Sequence, residues 1–194
     1  MSVKTAHSLC DQLYFCTFTC TDWLNLFEIT NTYDEVYKWF RIVHEKGYHI
    51  VAFTIMPNHL HFIINTLKQN VTLDKLVSNG KRFIAYEIVE RLKQQNETAI
   101  LKHLEEAVTP SDRKRGKLHQ VFKPSFDGRR IYSEQMLIQK INYIHHNCVS
   151  KKWNLAKDYL QYPHSSAAFY ELGTPACFPL TNYTKVLYGE NATQ

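Results

Sequence analysis

The sequence predicts an α+β fold: an antiparallel sheet with helices on one face, followed by a C-terminal extension. Three observations predict it. Short runs rich in aromatic and β-branched residues alternate with longer amphipathic stretches. The elements come in the order strand, helix, strand, strand, helix, strand, helix. With 194 residues and a hydrophobic fraction of 44%, the chain can bury a substantial core.

The opening run LYFCTFTC (13–20) alternates in character and reads as a strand. In YDEVYKWFRIVHEK (33–46), Val36, Trp39, Phe40 and Val43 recur at helical spacing, and Gly47 follows as a stop signal. HIVAFTIM (49–56) is a strand, Pro57 and Asn58 make a tight turn, and HLHFIINT (59–66) returns. Residues 72–95 form a long amphipathic helix with Leu73, Leu76, Val77, Ile84, Ile88 and Leu92 on one side, weakened locally by Gly80. The polar stretch 96–117 reads as a helix fragment plus a loop, and LHQVFKPSF (118–126) as a further strand. SEQMLIQKINYIHHN (133–147) is a helix with Ser133 as its N-cap. Residues 151–194 read as an irregular tail with a short helix near 165–172, beyond a core of about 10–150. The first six elements match a split βαβ, ferredoxin-like sandwich. Neither a repeat nor a linker divides the chain, so 1–194 is read as one domain.

Net charge is +5, and it is localised. Residues 111–130 carry Arg113, Lys114, Arg115, Lys117, Lys123, Arg129 and Arg130 against only Asp112 and Asp127. The remaining residues hold 16 bases and 16 acids. This cluster, with Lys81 and Arg82, is the candidate surface for a polyanion such as single-stranded nucleic acid, and exposed aromatics could stack its unpaired bases. A solvated surface loop is the plainer alternative. Five cysteines (Cys10, Cys16, Cys20, Cys148, Cys177) form no CxxC pair, and no signal peptide is evident. Reduced thiols and a cytoplasmic location are therefore expected. No apolar run approaches the ~20 residues of a membrane span.

The chemistry concentrates in two motifs. In MPNHLH, His59 and His61 stand two apart on a strand, so both imidazoles project from one face while Leu60 and Phe62 project from the other. Two neutral imidazoles at this spacing can grip a divalent cation, although two strand histidines bonded to loops would look the same. In INYIHHNCV, Leu137, Ile141 and Ile144 form an apolar stripe, and Lys140, Tyr143 and Asn147 the stripe beside it. Asn147 could complete a metal site with Tyr143 just beyond it. His145 and His146 are rival ligands, but helix phase turns His145 away from Tyr143.

MPNHLHFII, followed about eighty residues later by NYIHHN, resembles the single-tyrosine HUH transposases, and most of all their REP-associated branch. The resemblance extends from YFCTFTCTDWLNLF (14–27) through FKPSFDGRRIYSEQ (122–135) to YPHSSAAFYELG (162–173). It implies a ferredoxin-like fold, His59, His61 and Asn147 as ligands of Mg²⁺ or Mn²⁺, and Tyr143 as nucleophile. It implies cleavage and rejoining of hairpin-flanked single-stranded DNA through a 5′-phosphotyrosine, with Lys140 a candidate for favouring phenolate. Imidazole ligands by themselves argue for Mn²⁺ over Mg²⁺. The chain departs from the pattern at Cys148, where relatives carry proline, at SKKWNLA (150–156), and in a longer insert at 96–117. Relatives act alone or as homodimers, and both remain open here. The competing readings are a non-catalytic single-stranded nucleic-acid-binding module of the same fold, a hydrolase using water as nucleophile, and a domesticated relative that cuts without moving DNA.

Overall fold

The structure is a computed structural model that describes residues 12–66 and 72–189. Four strands, β1 (Leu13–Thr19), β2 (His49–Met56), β3 (His59–Asn65) and β4 (Asp127–Arg130), form one sheet in the order β2-β3-β1-β4. All neighbours pair antiparallel. Helices α1 (Tyr33–Glu45) and α2 (Leu73–Gln94) follow β1 and β3, giving the ferredoxin-like order.

The pleat sorts each strand into two faces. Cys16, Phe18, Leu60, Phe62, Ile64, Ile50, Phe53 and Ile55 pack against Val36, Trp39, Phe40 and Val43 of α1 and Leu76, Val77, Ile84 and Ile88 of α2. The amphipathic stripes read in the sequence are therefore the buried faces, and the two crossover helices share one side of the sheet as expected. Gly80 has a local reason. A Cβ there would lie 2.3 Å from the Trp39 indole, so the glycine lets the ring press against α2.

The opposite face carries Leu13, Phe15, Val51, Ala52 and Ile63. Val51 is extra at an irregularity in the β2–β3 register between Ile50 and Ala52. This face is covered by α5 (Glu134–His146), whose Leu137, Ile141 and Ile144 fill it. Ser133 caps α5, its hydroxyl accepting from the Met136 amide.

Two expectations need correction. Residues 118–126 contribute only an isolated bridge between Phe122 and Cys20, and the fourth strand comes later, at Asp127–Arg130. The stretch 96–117 folds into α3 (Thr98–Glu106) and α4 (Pro110–Lys114), the latter capped by Thr109. The tail is mostly irregular, as read, and has the short helix expected near 165–172. It forms α6 (Ala167–Leu172) and α7 (Tyr183–Tyr188), and Val186 and Leu187 join the α5 core. It also runs along β2. Ile55 N–H donates to the His164 carbonyl, Ser166 N–H to that of Phe53 and Thr181 N–H to that of Ile50, so an edge that would attract another chain is covered. Cys16, Cys20, Cys148 and Cys177 are free thiols, and Cys10 lies outside the described residues. Among the described residues no helix is long and apolar enough to cross a membrane.

Two measurements follow. Gly80→Ala forces the Trp39 ring away, and overpacking of about 1–3 kcal/mol outweighs the ~1 kcal/mol of helix propensity that alanine adds. A lower denaturation midpoint is expected, and an unchanged or higher one would refute this packing. The His164 ring stacks on Tyr33 at 3.6 Å, and its Nδ1 lies 2.9 Å from the Tyr37 hydroxyl. Burial pushes its pKa down to about 4. The unfolded chain takes up this proton near pH 6.5 and the folded chain does not. The resulting stability is complete above about pH 6.5 and is lost as pH falls toward 4. His164→Gln should flatten the fall of thermal midpoint over that window.

Candidate active site

The hairpin tip that carries the histidines is clamped from both sides. Cys20 N–H donates to the Asn58 carbonyl (2.8 Å), and Phe27 N–H donates to that of Pro57 (3.0 Å). The register then sets Thr17 and Thr54 on either side of His61, and Thr19 and Met56 on either side of His59. Both imidazoles therefore lie on the α5 face, 4.7 Å apart between centroids and nearly perpendicular. They are 3% and 6% exposed.

Each imidazole is held by its Nδ1. The Asn58 side-chain amide donates through Nδ2 to the Trp23 carbonyl (2.9 Å) and to Asn25 Oδ1 (3.0 Å). Its Oδ1 is left facing His59 Nδ1 at 2.7 Å, so this nitrogen carries the proton and Nε2 keeps its lone pair. His61 Nδ1 lies 2.6 Å from Thr17 Oγ1. Neither Nε2 has a hydrogen-bonding partner among the described residues. Burial, with Lys152 nearby, pushes His59 down to about 4. Burial, with His59 and Lys140 nearby, pushes His61 down to about 3. Both rings are neutral at pH 7, the form that ligates a metal.

Packing of Leu137, Ile141 and Ile144 turns the next stripe of α5 toward the same place. The Tyr143 ring stands 5.3 Å from that of His61 and 5.9 Å from that of Phe15. Tyr143 is 50% exposed. The Lys140 ammonium lies 4.9 Å from the Phe15 ring and 5.9 Å from the Tyr143 ring. The α-helix ends at His146 and tightens into a 3-10 turn over Asn147–Val149, which buries Asn147. Cys148, where the resemblance expects proline, is wholly buried and its thiol donates to the His145 carbonyl at 3.4 Å. The helix ends at this point without proline.

Thr17, Trp23, His59, His61, Tyr143, His146, Asn147, Ser150, Lys152 and Trp153 line one cleft of about 480 Å³. The strand pair and the tyrosine helix, some eighty residues apart in the chain, thus meet. His145 faces elsewhere, its Nε2 2.8 Å from Ser166 Oγ. His146 lines the cleft and stacks on Tyr159, its Nδ1 donating to the Asn142 carbonyl. No three His, Cys, Asp or Glu side chains cluster closely enough to hold a metal among the described residues, so His146 does not extend the pair. The two imidazole Nε2 atoms are donors that could hold a divalent cation, and Asn147, whose side-chain amide could add an oxygen donor, lines the same cleft.

The basic candidates divide. Arg82, Arg115, Lys117 and Lys123 line a second groove of about 690 Å³ between α2 and residues 115–124. Lys81 lines it too, but is only 9% exposed, and its ammonium donates to the carbonyls of Lys123, Pro124 and Ser125. It anchors that segment rather than presenting charge, which corrects the sequence expectation for this residue. Arg113 pairs with Glu105, Arg115 and Lys117 with Asp112, and Arg129 with Asp127, so three carboxylates offset part of the cluster's seven positive charges. Arg130 lies over the Tyr132 ring, and Lys114 is exposed at the end of α4. Lys123 also stands 5.0 Å over the ring of Trp23, which lines the histidine cleft. Sequence reasoning missed Trp23, Lys152 and Trp153 at that rim and Thr17 and Asn58 behind the histidines. Their sequence signal is membership of quoted stretches: Asn58 of MPNHLH, Thr17 and Trp23 of YFCTFTCTDWLNLF, and Lys152 and Trp153 of SKKWNLA.

Neither protein-family models nor curated proteins match the chain. Among solved structures, the fold is similar to that of a REP-associated tyrosine transposase bound to a REP hairpin. The TM-score is 0.55 at 16% identity, over 89% of this chain and 88% of that one. A protein from Deinococcus radiodurans assigned as a transposase is matched at a TM-score of 0.35 and 18% identity, over 68% of this chain and 87% of that one, too weakly to bear on the fold.

Thr17→Val keeps side-chain shape but strips the buried His61 Nδ1 of its partner. The expected cost is about 1–3 kcal/mol in chemical denaturation. An unchanged midpoint would mean that this contact does not hold the ring.

Proposed function

We propose that the chain is a metal-dependent single-strand DNA nicking and joining enzyme of the HUH transposase type, with Tyr143 as nucleophile. The observation that carries this reading is the convergence of the exposed Tyr143 phenol and two neutral imidazoles in one cleft, 5.3 Å apart between the Tyr143 and His61 rings. The fold shared with a transposase bound to a hairpin supports the same reading and suggests hairpin-flanked single-stranded DNA as substrate.

A divalent cation held by His59, His61 and Asn147 would neutralise and polarise the scissile phosphate. The remaining work falls to the chain. Asn58 and Thr17 orient the imidazoles by their Nδ1 atoms. The α5 core holds the phenol beside them. Lys140, with its ammonium 5.9 Å from the Tyr143 ring, places a positive charge where the incoming phosphate can pair with it. The Tyr143 Oη attacks phosphorus and the bond from phosphorus to the 3′ oxygen breaks. The phenolic proton passes to solvent, and the departing oxygen takes a proton from solvent to become a 3′ hydroxyl. The 5′-phosphotyrosine conserves the phosphodiester bond energy, so attack by another 3′ hydroxyl rejoins strands without a nucleotide cofactor.

Incubation with hairpin-bearing single-stranded DNA and Mn²⁺ should give a covalent, protease-sensitive adduct that migrates slowly in denaturing gels. Tyr143→Phe and added chelator should each abolish it. His61→Ala should lose Mn²⁺ binding by calorimetry. Cleavage that survives in Tyr143→Phe would point to water as nucleophile. DNA binding without cleavage under any condition would favour the binding-module reading.

A further inference from the structure

The rim of the histidine cleft contains a feature that the chemistry above does not use. Trp23 is 46% exposed although it neighbours the core, and its ring sits 5.7 Å from that of His59. Its backbone is held at φ 59, directly after Asp22 at φ 49. Two consecutive non-glycine residues in the left-handed region are unfavourable, and the arrangement persists only where the surroundings enforce it. Here they do. Trp23 N–H donates to the Cys20 carbonyl, Leu24 N–H to that of Thr21, and Thr21 N–H to that of Val121. The Trp23 carbonyl accepts from Asn58, the residue that also orients His59. Glycine would relax this turn. The chain instead carries its largest side chain there and leaves half of it exposed.

Two cations cover that ring. The Lys152 ammonium lies 4.7 Å from the Trp23 centroid and 4.8 Å from that of Trp153, and the Lys123 ammonium lies 5.0 Å from Trp23. Trp153 completes the wall, 6.5 Å from Trp23 and 5.2 Å from His59. Among the described residues no acidic side chain lines this cleft. An exposed indole flanked by lysines matches the two parts of a nucleotide: a π face for the base and an ammonium for each neighbouring phosphate.

We propose that Trp23, backed by Trp153 and flanked by Lys123 and Lys152, is a base-stacking subsite that holds an unpaired nucleobase beside the scissile phosphate. The inference rests on the single-strand nuclease reading and extends it. On binding, the lysines exchange the indole faces for phosphates, and the base takes the exposed face of Trp23. Since every base has a π face, this subsite selects unpaired over paired DNA rather than one sequence. The strained turn fixes the ring relative to His59, so the stacked base sets the register of the strand against Tyr143.

The test compares the affinity of the full chain for labelled oligo(dT) of about 15 nucleotides with its affinity for an abasic oligomer of equal length and charge, by fluorescence anisotropy. Wild type should prefer oligo(dT) by about tenfold. Trp23→Gly, which removes the ring and suits the backbone, should bring the two affinities to within about twofold of each other, and Trp23→Tyr should restore most of the preference. The ratio does not depend on the folded fraction of a preparation, so a loss of stability cannot imitate the result. A ratio unchanged in Trp23→Gly, or no preference in wild type, overturns the subsite. Adduct formation on the hairpin substrate is scored separately. Adduct with an unchanged ratio sinks the subsite and spares the nuclease, whereas a Trp23-dependent ratio without adduct does the reverse.

Discussion

The two-residue period of the β-strand is the constraint on which the rest of this molecule depends. It sends Leu60, Phe62 and Ile64 into the core under α1 and α2, and His59, His61 and Ile63 toward α5. A slip of one residue would drive both imidazoles among Phe18 and Phe53 and turn Leu60 into the cleft. Register is secured by the clamps on Pro57 and Asn58 and by apolar burial on both faces. The strictness of the fold and the placement of the polar pair are thus one physical fact.

The same burial sets the electrostatics. Removing the imidazoles from water keeps them neutral and leaves their Nε2 lone pairs for a cation. Around them stand Lys140, Lys152 and Lys123, while no carboxylate among the described residues lines the cleft. Such a site attracts anions at its rim and offers nitrogen donors at its floor, the polarity that a bridged phosphate requires. The tyrosine is positioned less by its own contacts than by the Leu137, Ile141 and Ile144 stripe, which fixes the rotation of α5.

The parts legible in the sequence were those governed by local period. Strands, long helices, the sorting of His59 and His61 from Leu60 and Phe62, and the stripe of Lys140, Tyr143 and Asn147 follow from residue spacing alone. Features set by tertiary contact were not legible. The fourth strand is four residues, three exposed and Arg130 half-buried, that owe their conformation to pairing with Tyr14–Thr17. The tail's helix at Ala167–Leu172 was legible, but its second helix and its docking on α5 and β2 were not, since no local signal marks them. Lys81 looked like surface charge because its sequence neighbours are polar, whereas three carbonyls from a distant loop converge on it. Trp23 carried no signal of its own in the sequence, and its strained turn leaves it half-exposed at the rim.

The central claim is that one cation bound by the strand histidines lies beside the helical phenol. Fluorotyrosine incorporated throughout the chain gives a ¹⁹F resonance for Tyr143, assigned by its disappearance in Tyr143→Phe. Substoichiometric Mn²⁺ should broaden that resonance ahead of those from tyrosines remote from the cleft, such as Tyr86, and His61→Ala should abolish the selectivity. A Tyr143 signal that stays sharp at saturating Mn²⁺, or broadening indifferent to both histidines, would contradict the account.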